Sequence, residues 1–157
     1  MDPGALLGRL TECQVRFLII GGVAANLHGS ARLTKDLDVV YERGPENLDR
    51  LVHALKDLNP YPRGAPPGLP FQWSAETLRL GLNFTLETKL GALDIFGEVT
   101  GGGAYEDLIA ECENAEVFGV KCRFLGLNAL IRVKRAAGRP KDFEAIAELE
   151  AIGEERG

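Results

Sequence analysis

The chain is poor in the donors that build soft-metal or oxidised sites. Its 157 residues include two histidines, His28 and His53, and three cysteines, Cys13, Cys112 and Cys122, with no Cys-x-x-Cys pair. That is a poor set for a Cys/His zinc site, and an odd, widely spaced set of thiols fits the reducing conditions of a cytoplasm. No apolar run approaches the length of a membrane span, and Leu6 to Leu10 is too short and too interrupted for the core of a secretory signal. There is no excess of basic charge: the net charge is −5, which argues against a general nucleic-acid coat and leaves room for a local basic patch. The GxxxxGK[ST] and GxGxxG phosphate loops are both missing, and no internal repeat is visible. What is present is ordinary for a globular protein, with 45% hydrophobic and 26% charged residues. The length suits one domain, residues 1–157, with a real core. A soluble cytoplasmic protein with no membrane association is expected.

The most informative stretch runs from Val15 to Tyr41, VRFLIIGGVAANLHGSARLTKDLDVVY. Val15 to Ile20 is a short, nearly continuous apolar run with β-branched content, which predicts a buried strand. Gly21-Gly22 allows a tight turn that leaves backbone N–H groups uncovered. Val23 to His28 then reads as a short helix ended by Gly29. Asp36 to Tyr41 is a second strand. Alternate strand residues share a face, so Asp36 and Asp38 project together, roughly 7 Å apart at the backbone. Two such carboxylates repel unless a cation lies between them. They follow a glycine turn that opens a helix, a natural anion site. A metal-binding carboxylate pair beside a phosphate cradle predicts chemistry on a nucleoside triphosphate.

Around this stretch, Pro3 to Glu12 is predicted as a helix capped by Asp2. Pro45 to Leu58 is an amphipathic helix with Leu48, Leu51, Val52, Leu55 and Leu58 on one stripe. Residues 59–73 form a proline-rich loop: five prolines and two glycines in NPYPRGAPPGLP forbid regular structure there. Such a loop is commonly a functional lid or a disordered stretch. Leu82 to Thr88 and Gly91 to Val99 read as a hairpin. Gly101 to Gly103 is a flexible joint, Tyr105 to Cys112 a helix and Ala115 to Phe124 a strand. Leu127 to Ala137 is a helix stopped by Gly138. Lys141 to Ile152 is a final helix with Phe143, Ile146, Ala147 and Leu149 as its inner face.

Several residues carry two readings each. Asp94 lies inside an apolar strand, where a carboxylate is costly unless it is paired, exposed or bound to a cation. It either faces solvent from the hairpin or completes a three-carboxylate site with Asp36 and Asp38. Mg²⁺ is the expected ion, because it is hard and usually arrives with phosphates; two such ions would activate a hydroxyl and neutralise a pyrophosphate leaving group. Arg32, Thr34 and Lys35 are solvated loop residues, or else Arg32 contacts phosphate and Thr34 supports the loop. Lys134, Arg135, Arg139 and Lys141 complement a helix end, or else Lys134 faces the triphosphate. His28 is a structural helix-end residue or a general base. Tyr61, Phe71 and Trp73 are packing anchors, or else they stack on a base.

Gly-Gly followed by His-Gly-x-x-Arg-x-Thr-x-Asp-x-Asp resembles the nucleotidyltransferase superfamily that includes DNA polymerase beta. Within it, the chain looks closest to small bacterial proteins related to the AbiEii-type toxin nucleotidyltransferases. Thr88-Lys89-Leu90-Gly91-Ala92-Leu93-Asp94 is similar to that family's T-x-x-G-x-(hydrophobic)-D strand. Lys134 to Asp142, KRAAGRPKD, is similar to its C-terminal K-R-x-x-G-R-x-K-D segment. The resemblance implies an α/β (α+β) fold, a small mixed and mostly antiparallel sheet flanked by helices. It also implies Mg²⁺ at Asp36, Asp38 and Asp94, and transfer of a nucleoside monophosphate to an acceptor hydroxyl with release of pyrophosphate. On that reading Asp36 and Asp38 hold metal and phosphates, and Asp94 binds a second metal and serves or orients the base. Gly21, Gly22, Arg32, Thr34 and Lys134 bind the nucleotide. The acceptor is a tRNA 3′ end, a protein hydroxyl or a small molecule, with a toxin–antitoxin setting and a partner protein or homo-oligomer as further expectations. The rival reading is a non-catalytic module of the same fold, a nucleotide sensor or antitoxin-like partner. A phosphodiesterase metal site is a weaker third, disfavoured by the lack of a histidine cluster.

Overall fold

A computed structural model describes residues 2–157. Asp2 caps the first helix, α1 (Pro3–Glu12): its carboxylate accepts from Ala5 N at 2.9 Å, and Pro3 takes the first helical position, where its missing N–H costs nothing. β1 (Phe17–Ile20) leads directly into α2 (Gly21–His28), and β2 (Asp36–Tyr41) returns beside β1. Next come α3 (Pro45–Leu55), a 3₁₀ turn at Lys56–Leu58 and the two-residue strand β3 (Tyr61–Pro62). α4 (Ala75–Leu80) precedes the hairpin of β4 (Asn83–Thr88) and β5 (Gly91–Phe96). A smaller hairpin, β6 (Glu98–Val99) and β7 (Gly103–Ala104), leads to α5 (Tyr105–Leu108). β8 (Cys112–Val117), β9 (Val120–Leu125), α6 (Leu127–Ala137) and α7 (Pro140–Arg156) complete the order.

Seven strands form one sheet in the order β3-β4-β5-β2-β1-β9-β8, and β6-β7 form a separate ribbon. β2 runs parallel to β5 and β1 parallel to β9, while the other four neighbouring pairs are antiparallel. This is the mixed, mostly antiparallel α/β arrangement expected. The two faces differ. Leu37, Val39, Tyr41, Leu86, Leu93 and Ile95 alternate onto one face and are buried. Asp36, Asp38, Thr85 and Asp94 alternate onto the other, which is covered at Ile20 and Val40 but half-buried or exposed where the acids lie. The acidic site therefore sits on the open face of an otherwise well-filled sheet. No helix among the described residues is long and apolar enough to cross a membrane.

Four readings of the sequence are corrected. Ala115 to Phe124 is two strands: Val117 pairs with Val120, and Phe118-Gly119 form the turn with φ of 51° and 80°. Two positive φ values mark the hairpin turn usually made by Asn-Gly; an apolar Phe118 there hid it. Within residues 59–70, Tyr61 and Pro62 pair with Glu87 and Leu86, because Pro62 occupies a sheet edge, where a missing N–H is tolerated. On α7, Phe143 is 63% exposed and Ala147 is also exposed, whereas Asp142, Ala145, Ile146 and Leu149 face inward. Asp142 takes the inner position because Arg139 grips both its oxygens at 2.8 and 3.2 Å. The stretch Gly101 to Gly103 is no loose joint, since Gly103 pairs with Val99. Smaller differences lie at element ends: α2 includes Gly21 and Gly22, and both Pro45–Leu58 and Tyr105–Cys112 finish in 3₁₀ turns.

Asn47, 1% exposed, stitches α3 to the central strands. Its Oδ1 accepts from Arg16 N at 2.7 Å, and its Nδ2 donates to Arg16 O and Glu42 O at 3.0 and 2.7 Å. Asn47→Ala leaves these backbone groups without partners and is expected to cost about 2 kcal/mol in urea unfolding. A loss below a few tenths of a kcal/mol would show that water replaces the bonds.

Candidate active site

The site is built by register. Ile20 pairs with Asp38, Asp38 with Asp94, and Asp94 with Thr85, so one row of residues crosses four strands. Paired residues share a face, which sets the Asp38 and Asp94 side chains side by side; Asp36, two residues earlier, joins them. One carboxylate oxygen from each of Asp36, Asp38 and Asp94 lies within 4.8 Å of the others. Thr88 fixes the hairpin that delivers Asp94: its hydroxyl donates to Gly91 O at 2.8 Å and accepts from Leu90 N at 3.1 Å.

This crowding has an electrostatic cost, and Asp38 bears most of it. Its carboxyl is pushed up to about 7, first by burial and then by the charges of Asp94 and Asp36, while Lys134 pulls the other way. Asp38 Oδ1 is buried and has no hydrogen-bond partner. An orphaned carboxylate oxygen among three converging acids is what a hard, oxygen-seeking cation satisfies. The residues present thus fit a divalent ion.

The glycine pair works by letting other groups come close. A Cβ on Gly21 would lie 2.0 Å from Asp38 Oδ2, and Gly21 has a φ of 67° that favours glycine. A Cβ on Gly22 would lie 2.5 Å from Thr34 Oγ1. Thr34 in turn donates its hydroxyl to Asp36 O at 3.0 Å, holding the loop before β2. No side chain caps the start of α2, so its first N–H groups remain for a ligand or water.

A cavity of about 590 Å³ opens over this row. Gly21, Gly22, Arg32, Thr34, Asp36, Asp38, Asp94 and Lys134 all line it. Lys134, Arg139 and Lys141 make its far wall basic, while Arg135 turns outward to Glu150 at 2.8 Å. Lys134 forms no ion pair among the described residues, and burial holds its ammonium below the ordinary lysine range. Arg32 lines the mouth with its guanidinium tied to Glu144 and Glu148 of α7 at 3.3 and 3.5 Å. His28 is outside the cavity: it is 3% exposed, its Nε2 bonds Leu125 O at 2.8 Å and its Nδ1 faces Arg156 at 3.1 Å. Tyr61, Phe71 and Trp73 are also outside. Tyr61 meets Phe71 edge-on at 6.1 Å, and Trp73 Nε1 donates to Val52 O at 3.0 Å. These aromatics anchor the proline-rich segment.

One site residue has no counterpart among the sequence candidates. Arg63, from the proline-rich segment, donates through Nη2 to Asp94 Oδ1 at 2.6 Å and lies 3.8 Å from Asp36. The available signal was that Arg63 is the lone charged residue of the proline-rich segment 59–73.

A mixed, mostly antiparallel sheet flanked by helices is the fold of the solved structures similar to this chain, among them ones named as nucleotidyltransferase or nucleotidyltransferase-like. A protein of Thermotoga maritima classed as a nucleotidyltransferase matches 91% of this chain and 86% of its own, at 16% identity and a TM-score of 0.57. An antigenic nucleotidyltransferase-like protein from Paracoccidioides brasiliensis matches 95% of this chain and 72% of its own, at 16% identity and a TM-score of 0.59. ANT(2'')-Ia, in complex with adenylyl-2''-tobramycin, matches 98% of this chain and 86% of its own, at 19% identity and a TM-score of 0.59. No protein-family profile and no curated protein matches the sequence. What the chain shares with these structures is the fold.

The state of Asp38 makes a signed prediction. Its folded value, about 7, lies above the ordinary carboxylate value of 3.8. Stability from this group is therefore full below the ordinary value and is lost as pH rises through about 7. In EDTA, Asp38→Asn should be more stable than the parent at pH ~8, with the gap closing by pH ~4. Saturating Mn²⁺ should reverse the order at pH ~8. Urea unfolding at both pH values decides it; a parent that is the more stable protein in EDTA at high pH would contradict the assigned crowding.

Proposed function

We propose that this chain is a divalent-metal-dependent nucleotidyltransferase that moves a nucleoside monophosphate from a nucleoside triphosphate to an acceptor hydroxyl. The observation that carries the reading is the convergence of three carboxylates, one with an orphaned oxygen, on a cavity whose opposite wall is basic. In that arrangement Asp36 and Asp38 hold the metal, for which Mg²⁺ is the natural choice. The bound ion supplies Lewis-acid polarisation of the phosphoryl group and a counter-charge for pyrophosphate.

The chain's own residues do the rest. Gly21 and Gly22 receive phosphate oxygens on backbone N–H groups at the start of α2. Lys134, on the basic wall of the cavity, would take the triphosphate, and its partial burial would strengthen a contact with an anion. Arg32 reaches phosphate only after leaving Glu144 and Glu148, so its part is secondary. The acceptor hydroxyl approaches from the Asp94 side. As its oxygen bonds to the α-phosphorus, the bond to the pyrophosphate oxygen breaks and the hydroxyl proton passes to Asp94. A small molecule is the favoured acceptor class, as for ANT(2'')-Ia with its adenylylated tobramycin. A tRNA 3′ end and a protein hydroxyl belong in the same screen.

Calorimetry with each nucleoside triphosphate, with and without Mg²⁺, tests this reading. Binding should require the ion and vanish in Asp36→Asn/Asp38→Asn. Lys134→Ala should weaken triphosphate binding about tenfold or more, the loss of one charge-assisted contact. Labelled-nucleotide transfer to the three acceptor classes follows. Metal-independent binding, or none at all, would favour the interaction-module reading.

A further inference from the structure

Arg63 is held too firmly to be an incidental surface cation. Its backbone N donates to Thr85 O at 2.9 Å, which continues the β3–β4 pairing by one residue and brings Arg63 to the row of Thr85, Asp94 and Asp38. The side chain crosses over the short Thr85. Nη2 donates to Leu86 O at 2.8 Å and to Asp94 Oδ1 at 2.6 Å. Nη1 lies 3.8 Å from Asp36 Oδ2, and Nε lies 3.6 Å from Glu87 Oε2. The segment carrying it is pinned as well: Tyr61 Oη donates to Pro66 O and accepts from Leu69 N at 3.1 Å. Burial works most strongly against the guanidinium's charge, and the Asp94 hydrogen bond together with the charges of Asp94, Asp36 and Glu87 more than restores it.

The charges give the arrangement its meaning. Ionised, the three carboxylates carry −3, and Arg63 brings this trio to −2, the complement of one divalent cation, with the exposed Glu87 as a further partner of the guanidinium outside the trio. The unsatisfied oxygen is on Asp38, whereas the Asp94 side is already occupied by the guanidinium. A second divalent ion beside Asp94 would have to share that carboxylate with a fixed positive charge. We propose that Arg63 takes the place of a second metal ion, so that the site binds a single divalent ion at Asp36 and Asp38 and receives the acceptor hydroxyl against the Arg63–Asp94 pair. The inference rests on the metal-dependent reading above and sets one ion and a tethered cation in place of the two ions expected from the sequence.

Mn²⁺ titration of the full chain, followed by electron paramagnetic resonance and calorimetry, reads the stoichiometry directly. The parent should bind one Mn²⁺. Arg63→Ala should bind two, and Arg63→Lys, which keeps a charge in place, should bind one. Urea unfolding of each variant checks that it is folded, and Asp36→Asn/Asp38→Asn should bind none. Two ions on the parent, or one ion of unchanged affinity on Arg63→Ala, would overturn the proposal and leave the metal site standing. No Mn²⁺ on any variant would instead remove the metal-dependent reading itself.

Discussion

Asp38 and Asp94 stand directly opposite one another on adjacent parallel strands, with Asp36 two residues away on the same face. Two like charges about 4 Å apart near a protein surface repel by roughly 4 kcal/mol. Side-chain flexibility cannot remove that repulsion, because the backbone register sets the spacing. The surroundings answer it from three directions. Arg63 comes in over β4 and neutralises the Asp94 side. Lys134 contributes its field from α6 without touching a carboxylate. Asp38 absorbs the remainder as a proton affinity far above that of a free carboxylate. A carboxyl poised in this way would release its proton to a cation bound near neutral pH, so any ion binding there would be coupled to proton release.

The tightness of the site comes from what is absent at Gly21 and Gly22. The Asp38 carboxylate lies where a Gly21 side chain would be, and the Thr34 hydroxyl where a Gly22 side chain would be. Acid, hydroxyl and helix start share one small volume only because two consecutive residues have no Cβ. The same hydroxyl holds Asp36 O, so the loop between α2 and β2 is registered against the glycines it covers. Behind this, a sheet face filled by Leu37, Val39, Leu93 and Ile95 makes the register rigid.

The central architecture was legible because its signals are local. β2 spans Asp36–Tyr41, the alternating and then apolar run that the sequence shows, α6 ends where Gly138 adopts φ of 64°, and the carboxylates share a face because strands have period two. The misreadings have physical causes. Phe118 sits in a turn that usually carries a small polar residue, so an apolar run concealed a hairpin. Phe143 is apolar yet exposed, while Asp142 is charged yet buried through its grip by Arg139; neither inversion shows in hydrophobic pattern alone. Arg63 was the larger omission. Its partners Asp94 and Asp36 are far away along the chain, and only the edge pairing of Tyr61 and Pro62 brings it across the sheet. A contact set by non-local strand order leaves little trace in its own neighbourhood of sequence.

Trp73 is the chain's single tryptophan, and its indole is fastened to Val52 O at the end of the segment that carries Arg63. Tryptophan emission from this protein therefore originates on the arm that supplies the site's tethered charge, with no second indole to blur it. Because the ring packs on α3, a change in how that segment sits would change the indole's surroundings, so intrinsic fluorescence would report its packing as well as unfolding. The chain thus carries its own optical label on the segment that brings Arg63 to Asp94.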